Sequence, residues 1–268
     1  MTHTDDPSTQ AAATRHAHYP DLAGRTAVIT GGSRGIGAAT AAALAANGVA
    51  VAVIGRDKNA LAAVTADITR AGGRAMWAAA DCTKPDELQD VAAAVTGQLG
   101  PIDILAAFAG GNGMPVPTDQ ETPDHWRQVV ESDLNSTFYT VHAVLPGMLE
   151  RHRGTIITMS SAAARQAARS AAAYAAAKAG VIAFTRHLAT EMAPHHIRVN
   201  CLAPSAVEND KMRTWMPEAQ LKALAASFPL GRIGQPDDIA AATLFLASDA
   251  SSWITGTTLD IAGGKIMV

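Results

Sequence analysis

Short apolar runs alternate along the chain with longer segments in which apolar residues recur at helical spacing. A short run that is rich in β-branched residues and bounded by turn residues is typical of a buried strand, whereas a longer periodic segment is typical of a helix. The apolar runs predict strands at Thr26–Thr30, Val49–Ile54, Arg74–Ala80, Ile102–Phe108, Gly154–Ser160, Ile197–Leu202 and Thr257–Ile261. The periodic segments predict helices at Ala38–Ala46, Lys84–Gln98, Pro123–Leu149, Ala171–Ala193 and Gln235–Ser248, with a further helix through Leu61 and Val64.

Strands that alternate with helices predict one class of fold. Parallel strands need long crossover connections, which are right-handed and place helices on both faces of the sheet. We therefore expect an α/β fold of the Rossmann type, a doubly wound parallel sheet of about seven strands in a single domain over residues 21–268. The stretch from Pro204 to Pro229 is less regular, and the polar, alanine-rich residues 1–20 are expected to form a loosely ordered tail. In such a sheet, ligands bind beyond the carboxyl ends of the strands.

A glycine-rich segment, residues 31–37 with the sequence Gly-Gly-Ser-Arg-Gly-Ile-Gly, lies between the first strand and the first helix. Glycines permit a tight turn and let backbone N–H groups approach a pyrophosphate at the N-terminus of the helix. A glycine cluster alone is a weak signal, because it can be only a turn. The strand before it and the alanine-rich helix after it, which stops at Asn47-Gly48, favour a dinucleotide-binding loop.

The residues that follow the second strand bear on which dinucleotide is bound. NAD-binding proteins typically place a carboxylate there for the ribose 2′-hydroxyl, but this chain has Gly55 followed by Arg56. Arg34 in the glycine segment adds a second guanidinium, and guanidinium groups bind a 2′-phosphate well. Asp57 argues against this interpretation, although it is better placed to cap the following helix. The sequence therefore favours NADP(H) over NAD(H).

Tyr174 and Lys178 lie four residues apart in an alanine-rich segment. This spacing puts a phenol and an ammonium group on one helical face, about 5–6 Å apart at Cβ. A cation beside a phenol favours the phenolate and lowers the pKa of the phenol, which gives a proton donor and acceptor usable near neutral pH. Tyrosine four residues before lysine is also a common coincidence, so the pair indicates catalysis only together with the predicted cofactor loop.

Composition and charge exclude several other classes of function. The 268-residue chain has a formal charge of -3 at pH 7 and scattered basic residues, which gives no electrostatic case for binding nucleic acid or an anionic membrane. No apolar run is long enough to span a membrane. Cys82 and Cys201 lie far apart and no zinc-site spacing occurs, so we expect no metal and a reduced, cytoplasmic setting. Charged residues, at 17%, are scarcer than usual, which suggests a surface partly covered by sister subunits.

The glycine segment, Ser161, Tyr174 and Lys178 together resemble the single-domain short-chain dehydrogenase/reductases, over a stretch from about Leu22 to Gly264. The closest likeness is to 3-oxoacyl-carrier-protein reductases and related ketoreductases. The resemblance implies that Tyr174 is the catalytic acid/base, that Lys178 binds the nicotinamide ribose and tunes the tyrosine, and that Ser161 binds the substrate carbonyl. Of the two adjacent serines, Ser161 and not Ser160 lies thirteen residues before the tyrosine, as the family's serine does.

The resemblance also implies which residues contact the cofactor. Asp81 matches an acidic residue that contacts adenine, and Val207 matches a residue whose backbone recognises the nicotinamide carboxamide. The implied cofactor-binding residues are Gly31, Ser33, Arg34, Gly35, Ile36, Gly37, Arg56, Asp81, Cys82, Ala109, Gly110, Tyr174, Lys178, Pro204 and Val207.

Asp133 is the first departure from the family pattern, which often has an asparagine here that positions a proton-relay water. Asn135 does not simply replace the family's asparagine, because it lies two residues further along a helix and about 200° around the helix axis from Asp133. We interpret Asp133 as a relay residue among the catalytic set. Its carboxylate is expected to pair with Lys178 and so to weaken the pull of the lysine on Tyr174.

Two further segments depart from the family pattern. The common Asn-Asn-Ala-Gly after the fourth strand is replaced by Ala-Phe-Ala-Gly at residues 107–110, so the polar contacts attributed to that motif are expected to be absent or replaced. The usual Pro-Gly after the sixth strand is Pro204-Ser205, and Asn209 lies where a threonine is frequent. Neither change removes the central chemistry.

These features predict reversible hydride transfer between NADPH and a carbonyl or secondary alcohol, with a 3-oxoacyl thioester or a related ketone as substrate. An alcohol, sugar, polyol or steroid dehydrogenase is an alternative, since the sequence does not set the direction of reaction. A non-catalytic nucleotide-binding sensor or scaffold is an alternative of another class, but such a protein does not need serine, tyrosine and lysine in register.

The substrate side of the site is the least determined by the sequence. Residues 208–228 are expected to form a flap whose apolar residues line a cleft or, equally well, pack the flap against the body; these residues are Met212, Trp215, Met216 and Phe228. Arg165 and Arg169 would receive an acidic acyl-carrier protein or a substrate carboxylate, or else lie in a solvated loop. The segments 123–149, 171–193 and 261–264 resemble family elements that build tetramers, so a homotetramer is expected.

Overall fold

A parallel sheet of seven strands forms the centre of the molecule, in the order β3-β2-β1-β4-β5-β6-β7. The computed structural model describes residues 17–111, 115–167 and 170–267. The strands are β1 Thr26–Thr30, β2 Ala50–Gly55, β3 Ala75–Ala79, β4 Ile104–Ala107, β5 Gly154–Met159, β6 Ile197–Pro204 and β7 Thr258–Ile261. The predicted doubly wound α/β fold is confirmed.

Helices cover both faces of the sheet. They are α1 Gly35–Ala46, α2 Lys58–Arg70, α3 Pro85–Leu99, α4 Pro123–Val130, α5 Ser136–Arg151, α6 Ala172–Met192, α7 Asp210–Trp215, α8 Glu218–Ala226 and α9 Pro236–Ala247. One core contains Leu44 of α1 and Ile239 of α9, and the core on the opposite face contains Val95 of α3 and Met148 of α5. None of the helices in the described ranges is long and apolar enough to cross a membrane.

The central strands β1, β4 and β5 are buried along their whole length, because helices pack against both faces. Successive side chains of a strand point to opposite faces, so Val28 lies in one core and Ile29 in the other. The order of the strands reverses at β1, which pairs with β2 on one side and with β4 on the other. A crevice for a ligand opens at such a reversal, beyond the carboxyl end of β1 at Thr30.

Several helix ends lie where the sequence predicts them. The first helix stops at Asn47, and Gly48 follows with a positive φ of 77°. The Asp57 carboxylate accepts a hydrogen bond from the Ala60 N–H at 3.1 Å, which confirms that this residue caps α2.

The predicted helix over 123–149 contains an interruption that the periodic pattern does not show. Between α4 and α5, residues Glu131–Asn135 form a π-helical turn, in which one extra residue is fitted into the helix. This turn directs Asp133 into the interior, where its exposed fraction is 0%. Asn135 instead donates a hydrogen bond to the Glu131 carboxylate. The prediction of a regular helix is therefore wrong at these five residues.

The segment after β6 and the described end of the N-terminal segment both contain local order. The stretch predicted to be irregular contains the short helices α7 and α8, and Asn209 caps α7 by accepting a hydrogen bond from the Met212 N–H at 3.0 Å. Of the predicted tail, residues 1–16 lie outside the described residues. The Tyr19 N–H donates to the Asn47 side chain at 2.8 Å, so the described end of that segment rests against α1.

Candidate active site

The glycine segment makes a turn that only glycine can make at two of its positions. Gly31 has a φ of 69°, and a Cβ there would lie 2.9 Å from the Phe108 carbonyl oxygen. A Cβ on Gly37 would overlap the carbonyl oxygen of Gly31. These close approaches pack the N-terminus of α1 against the end of β1 and leave its first N–H groups facing the crevice. This is the geometry that a pyrophosphate requires at a helix N-terminus.

A groove of about 900 Å³ runs along the carboxyl ends of β1 to β4. Most of the predicted cofactor-binding residues line it; they are Gly31, Ser33, Arg34, Arg56, Asp81, Cys82, Ala109 and Gly110. Gly35 lines an adjoining cavity of about 660 Å³ that extends to Glu208 and Asn209 before α7. Ile36 and Gly37 form the first turn of α1 beneath the groove. The sequence did not single out Thr83, Gln128, Glu131, Ser132 or Ser136, which also line the groove.

Two arginines flank the end of the groove formed by β2. Arg34 precedes α1 and Arg56 follows β2, and both line the groove. The Asp57 carboxylate, besides capping α2, lies 3.7 Å from the Arg34 guanidinium. Both side chains are largely exposed, so this ion pair holds Arg34 only weakly.

Asp81 and Cys82 follow β3 on the floor of the groove. The Asp81 carboxylate accepts hydrogen bonds from the backbone N–H and the hydroxyl of Thr83, at 3.0 and 2.8 Å. The backbone bond is the main cause that lowers the pKa of Asp81, which keeps this carboxyl ionised. Burial raises the pKa of the Cys82 thiol to about 12, so Cys82 presents a neutral thiol at physiological pH.

Tyr174 and Lys178 lie on one face of α6, as their spacing predicts. The Lys178 Nζ atom is 5.7 Å from the centre of the Tyr174 ring. The lysine side chain is only 3% exposed, and its ammonium group donates to the Met159 carbonyl oxygen at the end of β5, at 3.1 Å. The tyrosine is half-buried. The helix therefore brings a phenol and an ammonium group together beside the end of β5.

The Asp133 carboxylate lies against Lys178, with its Oδ1 atom 3.3 Å from Nζ. The same oxygen accepts a hydrogen bond from the Gly111 N–H at 2.6 Å, and Oδ2 accepts one from the Ser132 hydroxyl at 2.8 Å. A Cβ on Gly110 would lie 2.6 Å from Oδ1, so the glycine at this position is what allows the carboxylate to approach. The expected pairing of Asp133 with Lys178 is observed.

The two adjacent serines differ in their surroundings. The Ser160 hydroxyl is buried and donates to the Lys178 carbonyl oxygen at 2.7 Å, so it joins β5 to α6. Ser161 is half-buried and begins a single 3₁₀ turn at Ala162–Ala164, in which its Oγ atom accepts from the Ala163 N–H at 3.2 Å. Because an accepting hydroxyl keeps its own proton, Ser161 is free to donate a hydrogen bond to a substrate.

The loop after β4 has a different anchor from the asparagines of the family pattern. The Thr30 hydroxyl oxygen accepts hydrogen bonds from the N–H groups of Phe108 and Ala109, both at 3.1 Å. The Phe108 side chain is buried in the core. In the sequence, Thr30 begins the motif that carries the family resemblance, but nothing there assigns its hydroxyl this role.

The segment after β6 reaches the adjoining cavity. Val207 forms an isolated parallel bridge with Gly234, which uses the Ala206 carbonyl and the Glu208 N–H. The bridge leaves the backbone polar groups of Val207 outside the ladder, and its carbonyl accepts from the Asn209 amide at 3.1 Å. Pro204 ends β6.

The structure corrects both interpretations of Arg165 and decides between those of Phe228. Arg165 donates to the Asp260 carboxylate of β7 from two nitrogens, at 3.0 to 3.2 Å, so it neither lies in a solvated loop nor has a free charge for a carrier protein. Arg169 lies outside the described residues. Phe228 is 4% exposed and packs against Gly263, so it belongs to the body, whereas Trp215 is 82% exposed.

Comparisons with known proteins agree with this geometry. A family model described as enoyl-(acyl carrier protein) reductase matches residues 31–265. The 3-oxoacyl-[acyl-carrier-protein] reductase of Chlamydia pneumoniae is 38% identical over 248 residues, which cover 91% of this chain and 97% of that protein. The chain belongs to the short-chain dehydrogenase/reductase family. As a member of this family it is an enzyme, an oxidoreductase that acts on carbonyl or CH–OH groups with a nicotinamide cofactor.

Other members of the family resemble the chain to a similar degree. The 2-dehydro-3-deoxy-L-rhamnonate dehydrogenase (NAD(+)) of a Sphingomonas species is 36% identical over 243 residues, 91% of this chain and 96% of that protein. The crystal structure of a 3-oxoacyl-[acyl-carrier protein] reductase from Brucella melitensis has a TM-score of 0.86 at 34% identity, and the match covers 93% of this chain and 94% of that one. The short-chain dehydrogenase/reductase fold thus extends over almost the whole chain.

Proposed function

We propose that the chain is an NADPH-dependent reductase of 3-oxoacyl thioesters or related ketones, with Ser161, Tyr174, Lys178 and Asp133 as its catalytic residues. The observation that carries this proposal is the juxtaposition of Tyr174 with Lys178 and of Lys178 with the end of β5, two residues before Ser161. The similarity to the Chlamydia pneumoniae reductase supports the substrate class.

The residues of the groove fit a nicotinamide dinucleotide. The close approach of Gly31 and Gly37 leaves room for a pyrophosphate and none for side chains, and Asp81 and Ala109 line the same groove further along. When bound, the nicotinamide group supplies the hydride for reduction. Lys178, with its ammonium group fixed by Asp133 and the Met159 carbonyl, is the residue that we propose binds the nicotinamide ribose.

Each catalytic side chain has a distinct proposed role. In reduction, Tyr174 donates its phenolic proton to the carbonyl oxygen, and in oxidation it takes the proton back. Ser161 donates a hydrogen bond to the same oxygen, where negative charge develops. Asp133 acts as a relay residue, because its carboxylate is in contact with the ammonium group of Lys178.

Replacement of Tyr174 tests the central assignment. Tyr174→Phe removes the proton donor and should lower kcat by about 10²–10⁴-fold or more, while NADPH binding, followed by nucleotide fluorescence, is retained. Ser161→Ala should lower kcat by about 10²–10³-fold. Tyr139→Phe is the matched control, because Tyr139 lies in an aromatic contact with Phe138 on α5, and it should leave kcat unchanged. Substantial turnover by Tyr174→Phe would contradict the proposal.

We propose a preference for NADP(H) because Arg34 and Arg56 both line the groove beside the end of β2. Alanine at either position should lower kcat/KM for NADPH roughly tenfold to hundredfold, since it removes a charge-assisted hydrogen bond to the 2′-phosphate. kcat/KM for NADH should change little. Arg70→Ala is the control, because Arg70 is 74% exposed and pairs with Asp67 on the outer surface of α2. Equal losses with the two cofactors would refute the preference.

A second candidate function is the NAD-dependent oxidation of a hydroxy acid or sugar derivative. The presence of Asp57 within 3.7 Å of Arg34 favours it, since a carboxylate there can bind a ribose hydroxyl. The similarity to the Sphingomonas dehydrogenase points the same way. A panel of ketones and alcohols assayed with NADPH, NADH and their oxidised forms side by side would separate the two functions.

An acyl-carrier protein remains a proposed partner of the 3-oxoacyl reductase. Because Arg165 is neutralised by Asp260, we expect it to contribute nothing to carrier recognition. The comparison to make is kcat/KM for a 3-oxoacyl group on the carrier protein and on coenzyme A. A strong preference for the carrier form would support this partner, and equal values would count against it.

We also propose a homotetramer. On α5, Phe138 is 47% exposed, and its ring lies 5.7 to 6.1 Å from His142 on the same helix and from Phe184 on α6. Trp253 before β7 is 99% exposed. Large apolar side chains on a surface with few charges are typical of contacts between subunits. Light scattering should give the mass of four chains, and a monomer at micromolar concentration would exclude the assembly.

A further inference from the structure

The helix that carries Tyr174 and Lys178 begins without a cap of its own. Ala171 is the residue before its first turn, and its side chain offers no hydrogen-bond acceptor. Ala171 and Ala173 are both fully buried, so the Ala173 N–H lies away from water. The first N–H groups of a helix have no partner within it, and buried N–H groups need one. A partner must therefore come from elsewhere in the chain.

Glu121 supplies that partner from a segment 52 residues earlier. Its Oε2 atom accepts a hydrogen bond from the Ala173 N–H at 3.2 Å. Its Oε1 atom lies 2.7 Å from Nδ1 of His125, in the first turn of α4. The Glu121 side chain is only 4% exposed. A carboxylate buried to this degree is stabilised by its hydrogen bonds and by the partial positive charge at the helix N-terminus.

Tyr174 directly follows Ala173, whose N–H donates to the Glu121 carboxylate. We propose that Glu121 is a positioning residue for the reaction, and that it fixes the first turn of α6 so that the Tyr174 phenol is held for proton transfer. This inference rests on the proposed role of Tyr174 as the acid/base. Helix ends fray when they are not capped, and a displacement of about 1 Å can lower a rate 10²-fold.

Lys178 is held independently of this contact. Its ammonium group bonds to the Met159 carbonyl and to Asp133, one helical turn beyond Tyr174. Loss of the Glu121 contact should therefore disturb the phenol and leave Lys178 and the glycine segment in place. The expected signature is a lower kcat at unchanged KM for NADPH.

The test compares two substitutions at Glu121 with a control in the same segment. Glu121→Ala removes the acceptor and should lower kcat roughly tenfold to hundredfold, with KM for NADPH unchanged. Glu121→Gln keeps an oxygen that can accept from the Ala173 N–H, and should restore kcat to within about threefold of the wild type. Asp124→Asn removes a neighbouring carboxylate that is 94% exposed, and should leave both parameters unchanged.

Three results would overturn the inference. The first is a wild-type kcat in folded Glu121→Ala, even if its melting temperature falls. The second is an equal loss in Glu121→Ala and Glu121→Gln. The third is a change confined to KM for the carbonyl substrate, which would make Glu121 a substrate contact.

His125 provides a second route if Glu121→Ala does not fold. His125→Ala leaves the helix contact intact but removes the other partner of the Glu121 carboxylate, and should lower kcat about two- to fivefold. Where both variants fold, the double variant should be no slower than Glu121→Ala, because His125 acts through Glu121. A wild-type kcat in His125→Ala would overturn the inference. If Tyr174→Phe is inactive while the Glu121 variants keep the wild-type kcat, only the inference about Glu121 is rejected. If Tyr174→Phe itself remains active, the proposed function is rejected.

Discussion

The Nζ atom of Lys178 lies 3.3 Å from the Oδ1 atom of Asp133, and the exposed fractions of the two side chains are 3% and 0%. Both charges have further partners, since Lys178 donates to the Met159 carbonyl and Asp133 accepts from the Gly111 N–H. Removing one member of a buried pair leaves the other charge uncompensated, which costs much more than the pair itself contributes. The ion pair therefore constrains which residues are tolerated at position 133.

Asp133→Ala should lower the free energy of unfolding by about 3–5 kcal/mol, because it strands the Lys178 ammonium group in the interior. Asp133→Asn should cost less, since the amide oxygen can still accept from Gly111 and from the ammonium group. Urea denaturation of the two variants checks this order. If the free energy of unfolding falls by the same amount in both variants, the hydrogen bonds to the Asp133 oxygen do not contribute to stability.

Gly37→Ala should abolish or severely weaken cofactor binding, because its Cβ would overlap the Gly31 carbonyl oxygen and force the glycine segment to move. We expect KM for NADPH to rise at least about tenfold, since the backbone N–H groups no longer converge on the pyrophosphate. Gly97→Ala is the matched control on the exposed side of α3, where no atom lies within 4 Å of the added methyl group. It should stabilise the helix by up to about 1 kcal/mol and leave KM unchanged.

Arg165→Ala should loosen the segment between Ser161 and Tyr174 from β7, because it removes a bidentate contact with Asp260. Asp260 is only 14% exposed, so its carboxylate loses a partner that water does not fully replace. We expect KM for the carbonyl substrate to rise and KM for NADPH to stay constant. Arg165→Lys should recover only part of the loss, since an ammonium group does not reproduce the bidentate geometry. Full recovery would show that charge alone suffices.

Asp238→Asn tests a pH-dependent contribution to stability. Hydrogen bonds from Arg232 are the main cause that lowers the pKa of Asp238, and its carboxylate also accepts from the Gln235 N–H at 2.7 Å, ahead of α9. A carboxyl group whose pKa is lowered by folding stabilises the protein above its unfolded pKa of about 3.9, and this contribution is lost as the pH falls through the folded pKa. The variant should be about 1 kcal/mol less stable than the wild type at pH 7.

Urea denaturation at pH 7 and at a series of pH values below about 3.9 follows this loss for Asp238→Asn. The difference in free energy of unfolding between variant and wild type should shrink towards zero at the lower pH values. A difference that stays constant over this range would mean that the charge of Asp238 contributes nothing.

The strands of the sheet could be predicted from the sequence because those at its centre are buried on both faces. Such strands are continuous apolar runs, and β1 and β5 were predicted to within one residue of their ends. The choice of Ser161 over Ser160 came from the family resemblance, in which the serine lies thirteen residues before the tyrosine, and the two hydroxyl groups have different surroundings. The capping role of Asp57 could also be predicted, because Asp57 and the Ala60 N–H that it accepts from lie only three residues apart in the sequence.

Contacts between distant parts of the chain could not be predicted from the sequence. The partner of Arg165 lies 95 residues away in β7, and nothing near Arg165 indicates it, so both interpretations offered for that arginine assumed a free side chain. Glu121 shows no local pattern that would link it to a helix 52 residues later. These side chains acquire their roles only when the fold brings the segments together.

The π-helical turn at Glu131–Asn135 closes over one more residue than an α-helical turn does. Because the turn absorbs this extra residue, α5 continues with Val141, Val144 and Met148 buried in the core. Deleting one residue from the turn should therefore restore a regular helix and leave these three residues facing the core. The cost of the deletion should fall on the site instead, because the turn carries the Asp133 carboxylate that contacts Lys178.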